Sequence, residues 1–153
     1  MRGEDKVQEY QEAVVEIKRV SKKTKGGNQI SFTALVVVGD GQGRVGVALG
    51  KAKDVASAIR KGVRLAKKTM IEVPLRGATI PHPVEYKLKA ARILLKPARE
   101  GSGLIAGGPI RIIASAAGIK DLVAKILGSR NKAVNTWATY EALKLLKFVK
   151  SPK

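Results

Sequence analysis

The sequence predicts an α+β protein in two parts. The first is a three-stranded antiparallel sheet with one helix, and the second is a two-layer α+β half. Three observations carry this. Residues 13–49 alternate apolar and polar side chains in three runs parted by glycine turns, and an amphipathic helical pattern follows. Between Glu72 and Pro83 the chain turns rich in breakers (Pro74, Gly77, Pro81, Pro83), which places a boundary there and gives parts 1–73 and 74–153. Beyond it, a hairpin pattern, a glycine-rich loop and two further helical stretches succeed one another.

Residues Met1 to Gln11 are polar and acid-rich and read as a short helix or arm. Strand one starts at Ala13, with Val15, Ile17 and Arg19 on one face and Val14, Glu16 and Lys18 on the other. Gly26-Gly27-Asn28 turns the chain, because these residues tolerate positive φ. Ile30 to Val38, β-branched and aromatic, is strand two. Gly39-Asp40-Gly41-Gln42-Gly43 connects it to strand three, Arg44 to Leu49. Asp54 can cap a helix running to about Met70, whose buried stripe would be Val55, Ile59, Val63, Ala66 and Met70. One helix on one face leaves the opposite sheet face, or the loops, free for a partner.

In the second part, Val84 to Lys96 suggests a two-stranded hairpin, its second strand being Arg92 to Lys96. Gly101 to Gly108 reads as a loop, and Pro109 suits the first turn of a helix ending near Gly118. Leu122 to Leu127 is read as a strand because glycines bracket it. A last helix from about Asn131 to Val149 would set Val134, Ala138, Ala142, Leu145 and Val149 on one face.

Charge decides the class of partner. Thirty Lys and Arg against twelve Asp and Glu give a net charge of +18. The first sixteen residues hold five of the acids and two of the bases, so the rest of the chain is more basic still. Lys18, Arg19, Lys22, Lys23 and Lys25 follow one another with no acid between them. So much like charge in one loop repels itself unless a polyanion meets it, and a nucleic-acid backbone is the commonest. No apolar anchoring face, lipid signal or membrane-length run points to a membrane instead. No secretory segment is evident near Met1, so the chain is expected to stay where it is made. With no cysteine, disulfides, thiolate catalysis and Cys-based zinc sites are excluded.

Several motifs invite sharper chemistry. Gly41-x-Gly43-x-x-Gly46 has the letters of a dinucleotide fingerprint, yet a strand follows it where that fingerprint needs a helix. Gly101-x-Gly103-x-x-Ala106 lies before a helix, and Asp121 stands near the spacing of a ribose-binding acid, but the unit ahead of it is a hairpin. A nucleotide-dependent RNA-processing enzyme using this loop is the competing class. His82, the sole histidine, has no neighbouring carboxylate and reads as structural. Trp137 and Tyr140 read as core, and two Phe with three Tyr supply few platforms for stacking bases. Cations and backbone amides therefore remain as the binding chemistry, suited to folded RNA. Lys22, Lys23 and Lys25 in the glycine turn, Lys51 and Lys53 ahead of the Asp54 helix, and Arg60, Lys61 and Arg64 on that helix are the candidates. No metal, cofactor or small-molecule substrate is expected.

Nine ordered segments resemble the family of bacterial-type ribosomal protein five of the small subunit. They are RVSKKTKGG (Arg19–Gly27), SFTALVVVGDGQGRVG (Ser31–Gly46), LGKAKDV (Leu49–Val55), AIRKG (Ala58–Gly62), TIPHPV (Thr79–Val84), LLKPA (Leu94–Ala98), GSGLIAGG (Gly101–Gly108), AGIKD (Ala117–Asp121) and LGSRN (Leu127–Asn131). The resemblance implies an N-terminal domain similar to a double-stranded-RNA-binding fold, a C-terminal α+β domain, and no enzymatic activity. It implies ribosomal RNA as partner, gripped by Arg19, Ser21, Lys22, Lys23, Lys25, Gly26 and Gly27, together with ribosomal proteins four and eight and messenger RNA near its entry channel. By the same resemblance Gly103 and Arg111 lie at the contact with protein four, where changes alter decoding accuracy. A cytoplasmic or organellar ribosome is the implied location.

Overall fold

The computed structural model describes residues 10–147. Its elements in chain order are β1 Gln11–Thr24, β2 Gly27–Gly39, β3 Arg44–Ala52, α1 Val55–Lys68, β4 Ile71–Glu72, β5 Val84–Leu88, β6 Ala91–Pro97, β7 Leu104–Ile105, α2 Gly108–Ala117, β8 Leu122–Leu127 and α3 Lys132–Lys144. They form two four-stranded sheets, ordered β1-β2-β3-β4 and β5-β6-β8-β7. Every pairing is antiparallel except β7 with β8. The α+β class with an N-terminal sheet and helix, then a second sheet with helices, is as expected; β4 adds a short fourth strand to the first sheet.

β1 is longer than its sequence pattern suggested. The arm reading falls on residues 1–9, outside the described residues, but Gln11 already pairs with Gly39. The strict alternation fails at a bulge: pairing steps from Val14↔Val36 to Glu16↔Leu35, leaving Val15 extra. Val15 therefore turns to the larger core, whereas Ile17 and Arg19, opposite Ala34 and Phe32, share the face that α1 covers. The turn is tighter than expected too. Only Lys25 and Gly26 lie between the paired Thr24 and Gly27, Gly27 takes φ +126, and Asn28 already stands in β2 opposite Lys23.

α1 begins where Asp54 predicts, its carboxylate accepting from the Ser57 N–H, and ends at Lys68 with Thr69 as C-cap. Its deepest residues are Ala58, Gly62 and Ala66, flanked by Ile59 and Val63; Val55 stays exposed. The stripe rotates toward small residues because helix and sheet touch backbone to backbone. A Cβ on Gly50 would lie 2.1 Å from the Ala58 carbonyl oxygen. The apolar residues of largest volume were a poor guide where close approach decides the packing.

The other face of the first sheet is not free along its whole length. Leu35, Val37, Val45 and Val47 join Ile110, Ile113 and Ala117 of α2, with Ile93, Leu95 and Leu143, in one core. β2 is buried from Ala34 to Gly39 between this core and the one under α1. Only the outer half of the sheet and its loops are left uncovered. The 39–43 connection locks the junction: the Gly41 and Gly43 N–H groups donate to the Ala116 and Ala117 carbonyls at 2.9 and 2.7 Å. Tyr140 Oη of α3 donates to the Thr69 carbonyl at 2.5 Å, a second tie between the halves.

The β5–β6 hairpin, β8 and the α2 boundaries (Pro109 in the first turn, Gly118 a left-handed C-cap) follow the sequence reading. The 101–108 segment is not all loop, since Leu104 and Ile105 pair with Leu122 and Val123. α3 stops at Lys144, capped at its start by Asn131. Leu145, at the C-cap, is 46% exposed, and Leu143 and Leu146 are buried in its place; Val149 lies outside the described residues.

Candidate nucleic-acid interface

β1 and β2 continue past the end of β3 as a two-stranded ribbon, since β2 pairs with β3 only from Phe32 to Gly39. Lys18, Val20 and Lys22 alternate on one ribbon face, and Arg19, Ser21 and Lys23 on the other, so cations point both ways. Lys25 and Gly26 form the tip, where a built Cβ on Gly26 or Gly27 meets nothing within 4 Å. Every residue from Ile17 to Ile30 is exposed.

At the base of the ribbon the chain brings distant cations together. Lys22, Lys51 and Lys53 line one open groove of about 430 Å³. Ser21, Gln29 and Ser31 supply its hydroxyl and amide groups, and Val20 and Ile30 its apolar patches. Gln29 and Ser31 are placed there by register, opposite Lys22 and Val20. The sequence reading missed Val20, Gln29, Ile30 and Ser31, although extending the strand register through the turn would have found them. No acid lines the groove.

The structure divides the remaining candidates. Arg60 and Lys61 are exposed on α1; the Arg60 guanidinium donates to Ser57 Oγ at 3.1 Å. Arg19 belongs to the same side of the sheet, opposite Phe32. The first turn of α1 is a poorer anion site than its sequence suggested, because the Asp54 carboxylate already occupies it. The Ser57 N–H, then the Ser57 side chain and more weakly Arg60, hold the Asp54 carboxyl below its ordinary value. Lys51 and Lys53 thus offer charge to a ligand without help from the helix end.

The decoys are accounted for by structure. Gly41 and Gly43 spend their N–H groups on α2, and Asp40 accepts from the Gln42 and Arg44 N–H groups. Asp121, 4% exposed, accepts from the Gly101 and Gly103 N–H groups at 3.1 and 2.9 Å. The acid that resembled a ribose ligand instead ties down the loop that resembled a phosphate cradle. His82 Nε2 accepts from the Lys147 N–H at 3.0 Å, which leaves Nδ1 to donate to the Pro83 carbonyl. Trp137 packs edge-on against Tyr140 with centroids 5.9 Å apart, and Phe32 packs under α1. Among the described residues no cluster of acids and histidine could hold a metal, and no helix is long and apolar enough to cross a membrane.

Gly103 and Arg111 are brought to one end of the second sheet. The Arg111 guanidinium donates to the Leu104 carbonyl at 2.9 Å, next to Gly103, whose φ is +77. Arg111 is exposed, so this corner presents a fixed cation beside a loop held from within by Asp121.

Comparison with known proteins covers most of the chain. Residues 10–74 match the family described as ribosomal protein S5, N-terminal domain, and residues 86–151 the one described as ribosomal protein S5, C-terminal domain. The small ribosomal subunit proteins uS5 of Campylobacter jejuni strains 81-176, 81116 and RM1221 are each 54% identical to the chain over 140 residues. Each alignment spans 92% of this chain and 95% of the relative.

Proposed function

The chain belongs to the ribosomal protein S5 family, and from that premise we propose that it pins folded ribosomal RNA through its basic ribbon. It is a structural constituent of the small ribosomal subunit, with RNA and protein neighbours there, and not an enzyme. The observation that carries the proposal is the convergence of Lys22, Lys51 and Lys53 on one acid-free groove beside an exposed glycine tip. Such a groove suits phosphate and 2′-hydroxyl contacts, which read the shape of RNA more than its sequence. Arg19, Ser21, Lys23, Lys25, Gly26 and Gly27 extend the contact along the ribbon, and Arg60 and Lys61 add a second strip of charge on α1.

In this reading residues 1–73 form the RNA-binding part and 74–153 the part that meets other proteins. Gly103 and Arg111 face ribosomal protein four, a contact through which the chain contributes to decoding accuracy; protein eight is a further neighbour, and messenger RNA passes near the basic surface. The support is the pairing of an exposed, positioned guanidinium with a loop whose backbone is fixed by Asp121.

Salt dependence tests the RNA reading. Each phosphate neutralised steepens log K against log salt by just under one unit. Titrating the chain with transcribed small-subunit RNA between low and physiological salt should give a slope of several units. A flat line would sink the proposal.

A further inference from the structure

The second sheet ends, at the β5–β6 hairpin, in a cluster of cations that none of the contacts above employs. Lys87 and Arg92 stand opposite each other on β5 and β6, and Leu127 of β8 pairs with Arg92. With Ala90 and Gly128 they line an open groove of about 510 Å³. Exposed Lys89 directly precedes Ala90, and exposed Arg130 follows Gly128 by two residues. Gly128 is packed so close to the hairpin that a Cβ there would lie 2.0 Å from the Ala90 carbonyl oxygen. The one acid in the groove, Glu85, is paired with Arg92.

Lys89 is the informative residue. Its φ of 54 makes it the only non-glycine residue with positive φ among those described. That conformation is costly for a long side chain and nearly free for glycine, with asparagine close behind. Lys89 and Ala90 are the whole loop between paired Leu88 and Ala91. A turn selected for stability alone would carry Gly or Asn at this position. A strained lysine at a hairpin tip, one residue before Ala90 of the groove, is backbone free energy spent on placing a charge.

We propose that this end of the second sheet is a separate anion-binding surface that takes the phosphate backbone of folded RNA, with Lys89 as its outermost contact. The proposal rests on the reading that the chain binds ribosomal RNA, and adds a second, independent grip. An acidic protein surface would satisfy the charge equally well, but the groove offers only Leu127 and Ala90 to bury. Protein interfaces generally keep a larger apolar centre.

The test uses the whole chain and transcribed small-subunit RNA across a salt series. Three proteins are compared: the native sequence, Lys89→Asn, and Lys87→Ser/Lys89→Asn/Arg130→Ser, which spares the Arg92–Glu85 pair. Loss of each phosphate-contacting cation should lower the salt slope by about one, so the triple variant should be shallower by about two to three. The Tm of Lys89→Asn should equal or exceed the native value, because strain is relieved. A triple variant that keeps the native slope overturns this proposal. The ribbon reading stands regardless if Lys22→Ser/Lys23→Ser/Lys25→Ser still weakens binding. In reassembled small subunits, a photoreactive residue in place of Lys89 should give an RNA adduct; an adduct to protein alone also overturns the proposal.

Discussion

Gly118 shows how little room separates the two halves of the molecule. Its left-handed φ of +89 ends α2, and a Cβ there would sit 2.2 Å from the Gly41 carbonyl oxygen. Gly118→Ala combines backbone strain with a clash against backbone that cannot swing aside. We expect a loss of roughly 2–4 kcal/mol in denaturant unfolding, and an unchanged midpoint would show that the junction yields. Asp54 makes a different kind of claim. Its folded-state carboxyl titrates below its unfolded value, so the stability it adds is complete above the ordinary carboxylate range. That stability is lost as pH falls through the lowered value. The stability advantage of the native chain over Asp54→Asn should therefore be steady at neutral pH and vanish in acid. A constant difference down to strongly acid pH would contradict the cap.

The elements separate into those that local chemistry determines and those that contacts determine. Asp54, Pro109, Gly118 and Asn131 mark helix ends by capping physics that acts within a few residues, and each helix starts or stops beside them. β7 and β4 were illegible because two residues carry no period, and their pairing depends on strands far along the chain. The bulge at Val15 and the buried stripe of α1 were misread for a related reason. Both are set by what lies across the interface, a neighbouring strand in one case and Gly50 in the other. The cationic loop was plain in the sequence, but its groove was not, since Lys51 joins Lys22 only after β3 folds alongside β2. The ribbon itself makes few demands on the core. Replacing Lys22, Lys23 and Lys25 by Ser should leave Tm within a degree or two while weakening RNA binding, because surface changes away from packing cost about 0.5 kcal/mol or less. A large fall in Tm would mean that these lysines serve the fold.

On the scale of the whole molecule, the two sheets behave as one body. The larger core draws Leu35 and Val47 from the first sheet, Ile113 from α2 and Leu143 from α3. Hydrogen bonds from the 39–43 connection and from Tyr140 cross the same boundary. Unfolding should accordingly be a single transition seen alike by far-ultraviolet circular dichroism and by Trp137 fluorescence. Two separated transitions would show that the halves are coupled only loosely.

The shared core also has a consequence in time. The apolar face formed by Leu35, Val37, Val45 and Val47 is finished early in synthesis, whereas its cover, Ile110 and Ile113, comes more than sixty positions later. At about 5–20 residues per second, that interval is roughly 3–13 s. For those seconds the emerging chain displays a sticky sheet beside a strongly cationic ribbon, inside a cell full of RNA. A nascent chain stalled near residue 100, with β3 clear of the exit tunnel and α2 not yet made, should thus be held by chaperones and cut readily by protease, and one extended past α3 and clear of the tunnel should resist both.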